Sequence, residues 1–302
     1  MRFTINEILA EAIMNSTPAV IVEGVDDIEV YDVIKNDVNS SFNVIAVENI
    51  DDYVEGCQGV KDAMDDVNSL VNTSAFNYRN YIVGIIDKDV CDFRNEVPNN
   101  DFIFHLKYYS IESYFCTNEI VGEILKLSTR TTENLISDDT KDVVFNSVAE
   151  RLKVLYLLSL EALKGAVDSN YESLVKYSFP IGRFIKNNDV ITGVNSKEEE
   201  LLLFAQQLGL SNELSSMKRF VRGKWLIFLY CFELENALKN ISGNCHEHGV
   251  ETCQYCAVEA FDKCLYRLKD GFTHKTIRNS VYNFTDKIDF SDVKNRLQEM
   301  VA

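Results

Sequence analysis

The sequence predicts an α/β chain: a parallel sheet flanked by helices, followed by a mainly α-helical region with a small embedded cysteine-rich knuckle. Three observations predict it. Short β-rich apolar runs alternate with longer helical patterns over residues 1–116, as in a succession of βαβ units. The runs AVIV (19–22) and IVGII (82–86) lack polar alternation, which marks strands covered on both faces. Beyond Tyr114 the pattern turns helical, with leucine-rich stretches at 120–127, 148–166, 199–208 and 222–238, each with apolar residues at helical spacing.

In chain order the first part reads as a helix over about 5–14, a strand at 19–22, and a helix over about 26–34. A strand at 42–47, a helix over about 60–71, a strand at 81–86 and a last short strand at 102–104 complete it. In the second part Pro180, within SFPIG at 178–182, removes an amide donor and disfavours helix at the residue before it. We therefore expect three regions: a sheet domain at 1–116, a helical region at 117–242, and the knuckle with C-terminal helices at 243–302.

Composition bounds the function. In 302 residues, 46% apolar content with 3 Pro and 13 Gly excludes a disordered or collagen-like chain. The longest apolar run, 225–232, is far short of the ~20 residues a membrane helix needs. Glu7 and Glu11 interrupt what would be the apolar core of a signal peptide, so a cytoplasmic protein without membrane contact is expected, its 8 cysteines serving as thiols or metal ligands. The net charge of −17 is unevenly spread: residues 1–116 hold 21 acids against 7 bases, and 117–302 hold 26 against 23. A concentrated acidic half suits a solvated surface or a cation site, and a near-neutral half can carry local basic patches.

Several acids fall just past the ends of expected strands: Glu23 after AVIV, Asp87 and Asp89 after IVGII, and Glu112 beyond FIFHL. In an open parallel sheet these ends share one edge, where ligands bind. Convergent carboxylates need a cation, and hard oxygen ligands select Mg²⁺ or Mn²⁺, which suits phosphoryl chemistry. The competing structural reading is that such acids cap helices, as Asp26 or Asp27 would after Gly24, or form an Asx turn at Asp87.

The pair Glu23-Gly24 after a buried strand, with Asp87-Lys88-Asp89 after a later one, resembles the TOPRIM domain of topoisomerases, bacterial primases and OLD-family nucleases. VEGVDDIEVY (22–31), IIDKD (85–89) and YYSIESYF (108–115) resemble more closely the TOPRIM-like domain of the AriB-type effectors of PARIS antiphage systems. The resemblance covers about the first third of the chain. It implies Glu23 as the catalytic glutamate, Asp87 and Asp89 as holders of the divalent metal, and Glu112 as a further carboxylate. It also implies a nuclease acting on RNA, with tRNA as substrate class, held by an ABC-type ATPase of the AriA type and forming a homodimer when active. Relatives often have a Gly-Lys pair where this chain has Gly59 and Lys61 with Val60 between them, so Lys61 as a phosphate contact competes with a solvated lysine on a first helical turn.

Within 245–256, Cys245 with His248 forms CxxH, and Cys253 with Cys256 forms CxxC. Two such hooks can wrap one tetrahedral Zn²⁺, and four protein ligands leave no open position, so the metal would be structural. His246 is the alternative ligand, and free buried thiols beside Cys264 are the metal-free alternative. Cys57, Cys91, Cys116 and Cys231 read as core or surface thiols. Lys218, Arg219, Arg222 and Lys224 cluster before Trp225, and Lys263, Arg267, Lys269, Lys275 and Arg278 recur among aromatics. Either cluster could meet nucleic-acid phosphates or be a solvated helix face. Two other functions compete with the nuclease: a haloacid-dehalogenase-type phosphatase with Asp87 as nucleophile, and a non-catalytic nucleic-acid-binding scaffold or sensor.

Overall fold

A computed structural model describes residues 2–71 and 76–301. The chain is α/β, with a four-stranded, wholly parallel sheet and flanking helices. It divides into two compact units, 1–107 with 287–302, and 108–286. The first strand region thus closes at 107, and the boundaries expected at 116 and 242 fall inside the second unit. The last helix, α13 (Ser291–Val301), is amphipathic and belongs with the sheet although it is remote in sequence.

The first unit begins with α1 (Ile5–Asn15), fixed at its start by reciprocal bonds between Thr4 and Glu7: the Glu7 amide donates to Thr4 Oγ1 at 3.3 Å and the Thr4 amide to Glu7 Oε2 at 2.8 Å, a capping box. Then come β1 (Ala19–Val22), α2 (Val25–Asp37), β2 (Asn43–Ala46), α3 (Cys57–Leu70), β3 (Ile82–Ile86), the short α4 (Cys91–Arg94) and β4 (Ile103–His105). The strand order is β2-β1-β3-β4. The two central strands are the fully apolar runs β1 and β3, buried throughout, whereas the edge strands β2 and β4 are mostly half-buried.

Alternation places every second side chain on the same face. Ala19 and Ile21 of β1, Ile82 and Ile86 of β3, and Ile103 of β4 join one core with Ile8 and Leu9 of α1 and Val60, Ala63, Met64 and Val67 of α3. Gly84 sits in that row because α3 comes too close for a side chain: a Cβ there would lie 2.6 Å from Val60 Cγ1 and 2.7 Å from Met64 Cγ. α13 (Ser291–Val301) also belongs to this unit, burying Val293 and Leu297. Its Lys294 pairs with Asp37 at the end of α2.

The second unit is helical: α5 (Asn118–Ser128), α6 (Asp138–Leu152), α7 (Val154–Val167), α8 (Asn188–Asn195), α9 (Glu198–Gln207), α10 (Leu214–Met217), α11 (Gly223–Ile241) and α12 (His274–Val281). The leucine-rich stretch at 148–166 spans two helices, α6 and α7, parted at Lys153. At the SFPIG break the chain is extended at Pro180 and then makes a single 3₁₀ turn. No helix of the described residues is long and apolar enough to cross a membrane.

Candidate active site and metal centre

Past the end of β1 the chain turns at Glu23 and Gly24 into α2. Asp27 is spent on this turn: its Oδ2 accepts the Gly24 amide at 3.1 Å, and Glu48 accepts the next free amide, Val25 N–H, at 3.0 Å. Asp27 and Glu48 therefore satisfy orphan donors of a helix N-terminus. Glu23 has a different job. Its Oε1 accepts the backbone N–H of Asp87 at 2.8 Å, tying the end of β1 to the end of β3, and its own carbonyl accepts the amide of Gly56 at 2.9 Å, which anchors the start of α3 beside it. That approach needs two glycines. Gly56 has φ +99°, and a Cβ on Gly59 would lie 1.9 Å from the Val54 carbonyl oxygen.

The structure brings Glu23, Asp87 and Asp89 to one edge of the sheet, beyond adjacent central strands. Asp87, Lys88 and Asp89 are half-buried, and Asp89 adopts the left-handed conformation at φ +48°, an uncommon state for a side-chain-bearing residue that an Asx residue tolerates best. Lys88 pairs with Asp92 on α4. Burial first, then the charges of Asp89 and Asp27, push the Glu23 carboxyl up to about 7 against the opposing pull of the Asp87 amide and the Lys61 ammonium.

Lys61, in the first turns of α3, acts on more than Glu23. Its charge reaches Cys57, Cys91 and His105, so α3, the loop after β3, and β4 meet around it. Cys57 and Cys91, expected as ordinary thiols, belong to this edge. Burial raises both, Cys57 to about 11 with the Glu23 charge adding to it. His105 closes β4. Burial and then Lys61 lower its pKa, with the Pro98 backbone bond opposing them, and both ring nitrogens are buried.

Glu112 belongs to the second unit, in a 3₁₀ turn at Ile111–Phe115, where it accepts the hydroxyl of Ser110. Gly223, opening α11, lies against it: a Cβ there would be 2.8 Å from Glu112 Oε2. The basic cluster before Trp225 is largely committed inside the same unit. Lys218 is 4% exposed with its ammonium 5.1 Å from the centroid of the Tyr108 ring, and Arg222 donates to the carbonyls of Tyr177 (2.7 Å) and Phe179 (3.4 Å). Arg219 is half-buried and Lys224 is exposed. The cations at 263, 267, 269, 275 and 278 are all exposed.

The cysteine-rich segment corrects one expected ligand. Cys245, Cys253, Cys256 and Cys264 are buried, with their sulfurs all within 4.8 Å of one another, and could hold a metal such as zinc. Cys264 takes the place expected for His248. The spacing suggested CxxH, but residues 245–247 form a 3₁₀ turn and the fourth sulfur arrives from beyond the CxxC hook. His248 Nε2 is buried without a partner among the described residues. Tetrahedral Zn–S bonds of ~2.3 Å put sulfurs about 3.8 Å apart, which this cluster accommodates. The Cys253 amide donates to Cys245 Sγ at 3.4 Å. Burial raises the Cys253 thiol, but the amides of Leu265, Cys256 and Tyr255 outweigh it and bring it down to about 7, ready to bind metal as thiolate. The segment is docked by Tyr266, whose hydroxyl lies 2.9 Å from the carbonyls of both Leu135 and Glu251, and by Arg130 N–H to Leu265 O at 3.0 Å.

Comparison with protein-family models and with curated proteins finds no match for this chain.

Proposed function

We propose that the chain is a divalent-metal-dependent nuclease of TOPRIM type. The observation that carries it is the convergence of Glu23, Asp87 and Asp89 at the carboxyl edge of a parallel sheet, with Glu23 bonded to the Asp87 amide and its carboxyl raised to about 7. Crowded acids that repel each other's charge are the electrostatic mark of a cation site. Asp87 and Asp89, with Glu23, would hold Mg²⁺ or Mn²⁺, whose chemistry when bound is Lewis-acid stabilisation of a phosphodiester. Glu23 keeps Oε1 on the Asp87 amide, which orients Oε2 to accept or hold a proton near neutral pH. Lys61 supplies the positive charge that a phosphate needs beside three carboxylates. A phosphatase using Asp87 as nucleophile would leave Glu23 and its bond to Asp87 without a task.

The resemblance to the AriB-type effectors supports RNA, with tRNA as substrate class, an antiphage role, and restraint by an ABC-type ATPase. Exposed Lys263, Arg267, Lys275 and Arg278 offer phosphate contacts that the largely committed Lys218 and Arg222 do not, nor does Lys269, whose ammonium donates to the Leu127 carbonyl at 2.7 Å. The four-cysteine cluster we read as a structural zinc site, closed to water by its four protein ligands.

The test is incubation of the purified chain with total tRNA and with plasmid DNA in Mg²⁺ or Mn²⁺. Discrete RNA products, lost with EDTA and in Glu23→Gln, are expected. Cleavage that survives Glu23→Gln overturns the site, and RNA bound but uncleaved by the metal-loaded protein supports the scaffold reading instead.

A further inference from the structure

Along α11 the residues that escape burial make one stripe. Between Lys224 and Lys239 they are Phe228, Phe232, Glu233 and Asn236, and Lys224, Phe228, Phe232 and Asn236 follow at intervals of four, on a single helix face. The Phe228 and Phe232 rings lie parallel, with 6.5 Å between centroids and 7° between planes. At a carbon contact distance of about 3.5–4.0 Å, rings so separated are slid past each other by roughly 5 Å, so neither covers the other's face.

His274, the first residue of α12, stands edge-on to both rings, 5.8 and 5.5 Å between centroids. Glu235 holds it there. The carboxylate accepts the His274 amide at 2.5 Å and faces Nδ1 at 2.9 Å. Burial alone would raise the Glu235 carboxyl, but bonds from Lys239 and His274 outweigh it and lower it. An ionised Glu235 draws the ring proton to Nδ1, and Nε2, on the far side of a ring 26% exposed, is left as the acceptor.

The charge offered around these rings has one sign. The two acids of α11 are spent: Glu233 pairs with Arg151 at 3.5 Å, and the covered Glu235 also takes Lys239 at 2.6 Å. Lys224 is exposed one turn before Phe228, and Arg278 is exposed one turn beyond His274 on the same side of α12. The charge of Arg278 reaches Cys231, the neighbour of Phe232. Aromatic faces flanked by exposed cations complement a single nucleic-acid strand, whose bases stack on rings while its phosphates meet the cations.

We propose that this α11–α12 face is a contact for single-stranded RNA: an unpaired base stacks on Phe228 and Phe232, His274 Nε2 accepts a hydrogen bond from the same nucleotide, and Lys224 and Arg278 meet neighbouring phosphates. The choice of RNA rests on the nuclease reading, to which the stacking face adds a substrate contact.

Binding is measured in EDTA, where cleavage cannot interfere, with a short fluorescein-labelled oligoadenylate RNA as the probe and its duplex with oligouridylate as the comparison. Wild type is expected to prefer the single strand, since a duplex keeps its bases stacked within itself. The double variant Phe228→Leu with Phe232→Leu keeps apolar bulk without a flat face and should lose about tenfold in affinity while melting near the wild-type temperature. Tyrosine at both positions should hold wild-type affinity. Lys224→Gln and Arg278→Gln should each flatten the dependence of log affinity on log salt by about 0.7. In Phe232→Trp, the RNA should quench the emission of the new indole. No binding by wild type, unchanged affinity in the leucine pair, or equal affinity for strand and duplex overturns the proposal. Should the leucine pair fail to fold, an unquenched Phe232→Trp overturns it alone. All of these outcomes leave the nuclease reading standing. That reading falls separately if the wild-type chain binds the strand yet cleaves no tRNA in Mn²⁺.

Discussion

Glu23 holds the strongest electrostatic tension at the candidate site, and it has a thermodynamic signature. Its carboxyl titrates at about 7 in the folded chain against an ordinary 4.5. Between those values the folded state binds more protons than the unfolded state, so stability falls as pH rises through that window, and the full cost is present above about pH 7. The shift corresponds to roughly 3 kcal/mol. Glu23→Gln is therefore expected to raise the melting temperature at pH 8 in metal-free buffer and to leave it unchanged near pH 4.5. An equal gain at both pH values in thermal denaturation would detach the effect from ionisation. Mn²⁺ should narrow the pH 8 difference by stabilising wild type alone, because a ligand that binds only the folded state adds to its stability. At this scale Glu23, Asp87 and Asp89 were legible because they follow uninterrupted apolar strands, whose ends meet in any parallel sheet. His105 was not, because FIFHL gives a lone histidine no company. Its place depends on register between strands, which periodicity does not carry.

Among the elements, α3 and the cysteine segment bear the most on function. α3 reaches the site by lying flat on β3 over Gly84, and Gly84→Ala would force a methyl to within 2.6 Å of Val60. We expect a loss of about 1–3 kcal/mol, the usual range for overpacking, measured by denaturant unfolding, together with weaker Mn²⁺ binding as α3 shifts from Glu23. Unchanged stability would mean that α3 yields freely. In the cysteine segment, metal analysis of purified variants is expected to show one zinc per chain in wild type and in His248→Ala, and a loss of most zinc in Cys264→Ser. Retained zinc in Cys264→Ser would return the fourth position to a histidine. The strands and most helices were legible from period alone. The split of 148–166 into α6 and α7 was not, since leucines continue across it. It reflects burial: α6 buries a stripe of Thr140, Val144, Val148 and Leu152, whereas α7 is buried from Leu158 through Leu163. The Cys264 ligand was missed for a related reason, since short-range spacing cannot see a sulfur delivered by a turn.

The whole chain has an order that its sequence half disguised. The strands of the sheet unit were legible in the first part of the chain, although its end was expected at 116 and falls at 107, and nothing in SDVKNRLQEM announces that α13 belongs to it. Short amphipathic helices suit many surfaces, and only packing chooses one. Leu297 is fully buried in that unit, so Leu297→Ala is expected to destabilise by about 2–5 kcal/mol, the range for a buried leucine truncated to alanine. Hydrogen exchange should show the loss in β1 and β3 as well as in α13. Protection confined to local change at α13 would make that helix a peripheral strap.

The return of α13 also sets a clock. A ribosome making this chain emits the strands and the carboxylate edge first, then the entire 108–286 segment, and only afterwards the helix that completes the sheet unit. At ordinary elongation rates of 5–20 residues per second that interval is roughly 10–40 s. A nascent chain therefore carries its carboxylate edge through that interval before α13 can pack, so the sheet unit is finished only after the whole helical segment has been made.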